Sequence, residues 1–271
     1  MSLVLTRINV HHHAAPGSNA LLDINLSIAS GEQVALIGPS GAGKTTLLHT
    51  LACAHKPEPG GEFSIAGVHP WRLSPAKRHA LRTRWFLAPQ TPPLPPRQRV
   101  VTAVLAGRLP QWPLWKAIVS LIHPREAAKA HAALMRFSLQ EKLYERVDRL
   151  SGGERQRCGL ARLLMSAANV FLVDEPLSAL DPRLSRQTLA VLQDEATRRK
   201  ATLICSLHQV DLALENFPRI VGLRHGRIVF DLPRAQVTDT MIAALYQNAN
   251  ATKHTAVPDL IHTARANSSP C

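Results

Sequence analysis

A short apolar run leads directly into a glycine-rich segment, which is followed by sequence that suits a helix. The pattern G-x-x-x-x-G-K-[ST], typical of phosphate-binding loops, is matched by Gly38, Gly43, Lys44 and Thr45. Glycines let backbone N–H groups close around phosphate oxygens, and the helix that follows directs its positive end at them. Lys44 is therefore expected at the outer phosphates of a nucleotide, and the Thr45 hydroxyl beside Mg²⁺. The residues expected to surround the phosphates are Gly38, Pro39, Ser40, Gly41, Ala42, Gly43, Lys44, Thr45 and Thr46.

The rest of the chain alternates short apolar strands with helical segments. Strands are predicted at 3–10, 21–28, 34–37, 62–65, 85–87, 170–173, 201–206, 220–223 and 228–231. Helices are predicted at 76–84, 182–200 and 210–215, together with mostly helical sequence over 100–168. A Pro-Gly loop is predicted at 11–18, and a tight hairpin turn at His225-Gly226. This alternation favours an α/β sheet whose ligand lies at the carboxyl ends of the strands.

Two segments between these elements carry an unusual composition. Residues 91–96 are mostly proline, which enters neither a helix nor a sheet interior, so an exposed, stiff linker is expected. Residues 112–122 are rich in tryptophan and aliphatic side chains. This second segment is predicted either as an apolar patch that faces a partner or as a locally packed helix start.

A second group of candidate residues follows the apolar strand 170–173. Asp174 and Glu175 stand at its end, where a carboxylate can hold Mg²⁺ beside a phosphate loop. The side chain of Glu175 points away from that of Asp174 and can position and deprotonate an attacking water. We therefore expect Asp174 near the metal and Glu175 near the water.

A third group of candidate residues lies at the start of a predicted helix, which begins after Ser151. Ser151 and Glu154 form the capping box S-x-x-E. Gly152 and Gly153 follow the cap although glycine is a poor helix former, which indicates that another group approaches this backbone closely. A helix start free of side chains can bind an anion, so the chain offers a second expected phosphate site.

The overall charge is strongly positive, with 32 Lys and Arg against 19 Asp and Glu and a formal net charge of +13. Such an excess fits contact with nucleic acid, anionic lipid or an acidic partner, and it also fits a plain solvated surface. Aromatic residues make up only 4%, which does not favour a stacking groove for nucleic acid. The chain contains no apolar stretch of bilayer length, so any membrane role is expected to be peripheral. Buried thiols, rather than disulfides or zinc ligands, are predicted for the dispersed residues Cys53, Cys158, Cys205 and Cys271.

Together these motifs resemble the ATP-binding subunits of ABC transporters, and the resemblance runs from about residue 3 to 245. The Walker A loop is 38–45, the signature 150–156, the Walker B strand 170–174 and the D-loop 178–181. The resemblance implies an α/β P-loop NTPase core of the ABC type, with an antiparallel β subdomain and an inserted α-helical subdomain. It places the core and β subdomain at about 1–87 and 166–245, and the helical subdomain at about 88–165. Residues 246–271 are predicted to form a polar, disordered tail.

The resemblance also implies roles for single residues. Gln90 matches the Q-loop glutamine, which contacts Mg²⁺ and water and senses the membrane partner, and His208 matches the switch histidine at the γ-phosphate. Two subunits would form a homodimer around two ATP molecules, each signature contacting the nucleotide held by the partner. The expected catalytic residues are Glu175, His208, Gln90 and Lys44. The expected Mg²⁺ ligands are Thr45, Gln90 and Asp174, and further nucleotide contacts are Ser151, Gly152, Gly153 and Asp181.

Finer resemblances concern the adenine site and the transported substrate. Where the family usually stacks an aromatic ring on adenine, this chain has His13 or Ala14, so weaker stacking is expected. Segments 206–214 and 219–226, together with the Trp-containing 111–116, resemble the phosphonate-importer ATPases. This implies a peripheral ATPase at the cytoplasmic face of the inner membrane that powers import of phosphonates or related oxyanions such as phosphite or phosphate. Its expected partners are transmembrane permease subunits and, indirectly, a substrate-binding protein.

Three alternatives differ in function. In the first alternative, the chain is the ATPase subunit of an ABC transporter for another substrate, and an exporter subunit of similar size is the nearest such alternative. A nucleic-acid-associated ABC ATPase would carry a long coiled-coil insertion or two ATPase heads, neither of which is in this sequence, so no nucleic-acid partner is expected. A regulatory binder without catalysis is disfavoured because Glu175 and His208 are in place.

Overall fold

The computed structural model describes residues 2–12 and 15–247. Its strands are β1 Leu3–His12, β2 Ala15–Ile28, β3 Gln33–Ile37, β4 Glu62–Ile65, β5 Trp85–Ala88, β6 Val170–Asp174, β7 Thr202–Ser206, β8 Arg219–Arg224 and β9 Arg227–Pro233. Its α-helices are α1 Lys44–Leu51, α2 Pro75–Arg82, α3 Val100–Leu105, α4 Leu114–Ile122, α5 Ala127–Met135, α6 Gly152–Met165, α7 Pro182–Arg199, α8 Val210–Asn216 and α9 Asp239–Tyr246. Short 3₁₀ turns lie at Pro70–Arg72, Ala106–Gln111, Gln140–Lys142, Val147–Arg149 and Arg234–Gln236.

The central sheet has six strands in the order β5-β6-β7-β3-β8-β9. The first five strands run parallel, and β9 closes the edge antiparallel to β8. Every residue of β6 and β7 is buried, as expected for central parallel strands covered on both faces. Strands β5, β6, β7 and β3 are neighbours, so their carboxyl ends bring four connecting loops to one edge of the sheet.

The two faces of this sheet belong to two separate hydrophobic clusters. Ala35, Phe171 and Leu203 pack on one face, with α3, α5, α6 and α7. Val34, Leu172 and Ile204 pack on the other, with α1 and the small sheet. The alternation follows the two-residue period of a strand, and it confirms an α/β sandwich built from aliphatic side chains.

The small sheet is antiparallel, in the order β2-β1-β4. The prediction of a loop over 11–18 is wrong for its described residues, because β1 continues to His12 and β2 already begins at Ala15. Pro16 can lie in β2 because β2 is an edge strand, where no ladder hydrogen bond is required on the outer side. His13 and Ala14, the expected adenine position, lie outside the described residues, as do 248–271 of the predicted tail.

The proline segment 91–96 contains neither helix nor strand, as predicted, but it is not simply an exposed linker. Pro92 and Leu94 are half-buried, and a Cβ atom on Gly159 of α6 would lie 2.7 Å from the Pro92 ring. The missing side chain at Gly159 therefore lets this segment lie against α6. The expectation of full exposure is wrong for these two residues because a long-range contact covers them.

The other predicted strands and helices are present in outline, with one helix missed. The hairpin turn at His225-Gly226 has positive φ at both residues, 48° and 73°, as its two-residue loop requires. Cys53, Cys158 and Cys205 are buried free thiols; Cys271 lies outside the described residues. The helix α9 was not predicted. None of the helices in the described part of the chain has the length and apolar character to cross a bilayer.

Candidate active site

The phosphate loop joins β3 to α1 and is held by close backbone contacts. At Gly38, with φ of 148°, a Cβ atom would lie 2.0 Å from the Leu223 carbonyl oxygen of β8. At Gly43, with φ of 103°, it would lie 2.8 Å from the Ala20 carbonyl oxygen of β2. Both positions therefore require glycine, for conformation and for space. Between them, Ser40 and Gly41 are exposed to solvent, as is Thr45 just after Gly43.

The Lys44 side chain is folded back into this loop. Its ammonium group donates hydrogen bonds to the carbonyl oxygens of Gly38 at 2.7 Å and Pro39 at 3.1 Å. Burial lowers the pKa of Lys44, and the charges of Glu175 and Asp174 oppose that shift. The buried ammonium thus lies near both the loop and the two carboxylates. An anion bound in the loop would be stabilised by this positive charge.

The Asp174 carboxylate joins the ends of β6 and β7 to the start of α1. Thr45 Oγ1, at the start of α1, donates to Asp174 Oδ2 at 2.8 Å. Ser206 Oγ, the last residue of β7, donates to Asp174 Oδ1 at 2.5 Å. Asp174 and Ser206 are direct partners in the β6–β7 register, which explains why they meet. The oxygen atoms of Thr45 and Asp174 form a set that suits Mg²⁺ rather than a soft metal.

The Glu175 side chain lies between residues from two other loops. Gln90, two residues after β5, donates its Nε2 to Glu175 Oε2 at 2.8 Å. His208, two residues after β7, contacts Glu175 Oε1 through its Nε2. Glu175 has a positive φ of 47°, which is uncommon outside glycine. A cleft of about 290 Å³ is lined by Glu175, Ser178 and His208, with room for water beside the carboxylate.

The helix α6 begins with the predicted capping box. Ser151 Oγ accepts from the Glu154 backbone at 3.2 Å, and Glu154 Oε2 accepts from the Ser151 backbone at 2.7 Å. A Cβ atom on Gly153 would lie 2.6 Å from the Ala179 carbonyl oxygen, whereas one on Gly152 would meet nothing nearer than 3.9 Å. The expected close approach is confirmed at Gly153, where the approaching group is the backbone after β6 in the same chain.

Among the residues that the structure describes, neither the signature nor Asp181 forms a hydrogen bond with the phosphate loop of the same chain. Asp181 Oδ1 accepts from the backbone N–H groups of Arg183 at 3.0 Å and Leu184 at 2.9 Å, which makes it the cap of α7. In the described part of the chain, no hydrogen bond connects Ser151, Gly152 or Gly153 with residues 38–46. Gln90 likewise contacts Glu175 rather than Thr45 or Asp174.

Three residues of the site were not predicted as site residues. Gln156 is 4% exposed and donates to the Glu175 carbonyl oxygen at 2.7 Å. The sequence indicates this role only by placing a polar residue one turn before Leu160, on the buried side of α6. Ser206 gives no signal beyond its place at the end of an apolar strand. Tyr246 Oη accepts from the Gly38 N–H at 3.1 Å, a contact for which the sequence contains no local pattern.

A glycine-rich loop between β3 and α1, with adjacent carboxylates at the end of the parallel strand β6, which is separated from β3 by β7, defines a P-loop NTPase fold. The family model described as ABC transporter matches residues 21–178. The chain belongs to the ABC transporter family.

The curated relatives are similar over most of their length. The chain is 55% identical to the phosphonates import ATP-binding protein PhnC of Polaromonas sp. (strain JS666), covering 91% of this chain and 89% of that protein. It is 54% identical to phosphonates import ATP-binding protein PhnC 1 of Pseudomonas aeruginosa, covering 95% and 96%.

Solved structures share the fold at lower sequence identity. A dimeric bacterial ABC transporter cassette matches with a TM-score of 0.75 and 23% identity, over 86% of this chain and 98% of that one. A dimeric cassette in a post-hydrolysis state with ADP and phosphate matches with a TM-score of 0.72 and 23% identity, covering the same shares. These likenesses establish the ABC-type fold.

Proposed function

We propose that this chain hydrolyses ATP to power an ABC importer of phosphonates or related phosphorus oxyanions. It is an ATPase subunit of an ABC transporter, as its family and its relatives of about 55% identity indicate. The observation that carries the ATPase proposal is the contact between Thr45 and Asp174, at 2.8 Å, beside the buried ammonium of Lys44. The proposed substrate of the importer rests on the similarity to phosphonates import ATP-binding proteins.

We propose that ATP binds with its phosphates along the loop 38–46. The exposed loop backbone and the start of α1 supply N–H donors and a positive helix end for phosphate oxygens. Lys44 would exchange its two carbonyl partners for the outer phosphates. Thr45 and Asp174 would hold Mg²⁺, which supplies charge neutralisation between phosphate oxygens when bound. Gln90 belongs to this proposed set only by resemblance, since its amide contacts Glu175.

Glu175 is proposed as the general base. Its carboxylate would accept a proton from the attacking water, while Gln90 and His208 hold the carboxylate from both oxygen atoms. Ser206 fixes the backbone at this position, because its Oγ accepts from the Glu175 N–H at 2.9 Å and also binds Asp174. The chain therefore places the proposed base and the proposed metal ligand on one support.

The proposed working form is a homodimer. Ser151, Gly152 and Gly153 would contact the nucleotide held by the partner, and Asp181 would lie near the same interface. The absence of a contact between this signature and residues 38–46 in the described residues of one chain supports a role in trans. Transmembrane permease subunits, and indirectly a substrate-binding protein, complete the proposed importer, with this chain peripheral at the cytoplasmic face of the inner membrane.

The proposed division of the chain follows the element order. Residues 1–87 and 166–245 would form the core and β subdomain, and 88–165 the helical subdomain. The support is that α3, α4, α5 and α6 follow one another between the neighbouring strands β5 and β6. Movement of this inserted unit relative to Glu175 would pass through Gln90 and Gln156, which contact that residue from either end of the insertion.

The test is growth of cells that lack their own importer and receive this subunit with its membrane and binding partners. Methylphosphonate, phosphite or phosphate is offered as the sole phosphorus source. We expect growth on methylphosphonate that is lost with Lys44→Ala and retained with Lys56→Ala, an exposed lysine outside the site. Growth on none of the three, with ATPase activity intact in the purified protein, would contradict the proposed substrate and leave the proposed ATPase activity standing.

A further inference from the structure

Helix α4 presents its apolar side to solvent. Leu114, Trp115, Ile118 and Leu121 are exposed by 76%, 66%, 53% and 63%. At about 100° per residue, these four side chains fall within roughly a third of the helix circumference. A helix on a protein surface normally turns its apolar side inwards, so the orientation of α4 is the reverse of the usual one. The alternative left open by the sequence is thereby resolved in favour of an exposed patch.

Polar contacts hold α4 in this orientation. Ser120 is buried on the inner side of the helix. Lys116 Nζ contacts Glu126 Oε1 at 3.2 Å and lies 4.9 Å from the centre of the Trp112 ring. The outward position of the four apolar side chains is therefore fixed by specific contacts on the opposite side of the helix.

The segment that contains α4 carries an excess of positive charge. Within residues 97–140 the chain has a single carboxylate, Glu126, and seven basic residues, Arg97, Arg99, Arg108, Lys116, Arg125, Lys129 and Arg136. Of the seven, Arg136 pairs with Asp194 and Glu195 outside the segment. The Glu126 side chain is only 15% exposed and contacts Arg108, Lys116 and Lys129. Because the carboxylate is turned inwards, the charge that this segment presents to solvent is positive.

We propose that the apolar face of α4 inserts into the surface of an anionic phospholipid bilayer. Outward leucine, isoleucine and tryptophan with lysine and arginine around them is the composition of helices that lie in the bilayer interface. The basic surroundings complement anionic headgroups, and an ABC transporter subunit works within reach of a bilayer. Nine residues give a weak anchor, so α4 orients the subunit at the membrane while other contacts attach it.

The first experiment measures sedimentation of the purified full chain with vesicles. One set contains phosphatidylcholine alone, and the other contains equal amounts of phosphatidylcholine and phosphatidylglycerol. We expect binding to the anionic set only, weakening as salt is raised. Ile118→Ser with Leu121→Ser should lower the partition coefficient roughly tenfold. Val229→Ser, which changes an equally exposed apolar residue on β9, should leave it unchanged.

The second experiment locates the insertion. Tryptophan emission should shift to the blue when anionic vesicles are added, and Trp115→Phe should remove most of that shift while the protein still sediments. These residues are outside the proposed catalytic set, so ATP hydrolysis in solution should be unchanged in every variant, which separates this proposal from the proposed function.

Three outcomes would overturn the proposal. The first is no binding to anionic vesicles. The second is binding that the α4 variant and the Val229 variant reduce equally, which would indicate charge attraction by the whole surface. The third is unchanged vesicle binding with lost co-purification of the permease subunits, which would assign this face to a protein partner.

Discussion

The side-chain amide of Gln156 donates a hydrogen bond of 2.7 Å to the main-chain carbonyl of Glu175. The same side chain contacts Ser178 Oγ at 3.3 Å, and its Oε1 accepts from the Ala179 N–H at 3.3 Å. One buried residue of α6 therefore holds the backbone on which the proposed base stands, and it follows the Ser151 cap by five positions. The start of α6 and the position of Glu175 are consequently coupled.

Replacing Gln156 with leucine should impair both stability and catalysis. The change removes the hydrogen bond that the Ala179 N–H makes to this side chain, and it leaves the Glu175 carbonyl with only the longer bonds from Ser178 at 3.4 and 3.5 Å. The loss costs roughly 1–3 kcal/mol of unfolding free energy. A misplaced Glu175 should also lower ATP turnover roughly tenfold or more. Urea unfolding and steady-state hydrolysis measure the two effects. Gln187→Leu, which removes an exposed hydrogen bond of 3.0 Å to Ser138 Oγ, is the control. Normal turnover in Gln156→Leu would contradict the coupling.

Glu175→Gln should abolish hydrolysis while ATP binding persists. An amide cannot take the proton of the attacking water, so kcat should fall by roughly 10²–10⁴. ATP-bound dimers should then accumulate, which light scattering with and without ATP would detect. Glu215→Gln, at an exposed carboxylate of α8, should behave like the wild type. Hydrolysis at the normal rate in Glu175→Gln would show that another group is the base.

The adjacent residues Gly152 and Gly153 should respond differently to alanine. Gly153→Ala forces a Cβ atom to 2.6 Å from the Ala179 carbonyl oxygen, and about 1–3 kcal/mol of unfolding free energy should be lost. Gly152→Ala finds open space and should keep its stability. If the signature contacts the partner's nucleotide, Gly152→Ala should nevertheless lose ATP-dependent dimerisation. Full dimerisation and hydrolysis in this stable variant would argue against the role in trans.

Tyr246→Phe should lower the stability of the phosphate loop and its affinity for ATP. The change removes the hydroxyl that accepts from the Gly38 N–H, and the unpaired N–H costs roughly 1–3 kcal/mol. We expect a lower urea midpoint and a several-fold weaker affinity for ATP, measured by calorimetric titration. Tyr144→Phe, at an exposed tyrosine of the helical segment, should change neither quantity. Equal affinities in the two variants would show that the loop does not depend on α9.

Glu195 should make stability depend on pH at the acid end. Its carboxylate is 1% exposed and contacts Arg136, Arg198 and Arg199. Burial raises the pKa of Glu195, but the hydrogen bond from Arg198, the charge of Arg199 and further bonds from Arg136 and Arg199 prevail and hold it below its ordinary value.

Because this pKa is lower in the folded chain, its stabilisation is present above the ordinary glutamate pKa and is lost as pH falls through the lowered value. Glu195→Gln should cost roughly 1–3 kcal/mol at neutral pH, since it replaces charge-assisted hydrogen bonds to the partly covered Arg136 and Arg199 by weaker neutral ones. The difference from wild type should shrink in acid, and urea midpoints across pH measure it. Asp194→Asn, at the exposed neighbour that also contacts Arg136, should cost far less. A difference that stays constant down to acid pH would contradict the assignment.

The site could be predicted in its chemistry but only partly in its contacts. Thr45 and Asp174 are 129 residues apart, and their meeting follows from the rule that ligands lie at the carboxyl ends of parallel strands. The support of Glu175 by Gln156 could not be predicted, because a glutamine inside a helix pattern has no preferred partner until the facing segment is known. The assignment of 11–18 to a loop was wrong because Pro16 is tolerated at an edge that the sequence does not reveal.

By itself, the sequence determined the phosphate loop, the capped start of α6, the paired carboxylates and the two-residue alternation of the strands. These features depend on neighbours within a few residues: glycine conformation, hydrogen bonds of a cap, and the geometry of a strand. The tertiary structure alone decided that Tyr246 supports Gly38, that Ala179 requires glycine at 153, and that α4 turns its apolar side outwards. Each of these depends on which surfaces pack together, because burial and backbone pairing are settled by residues far apart in the chain.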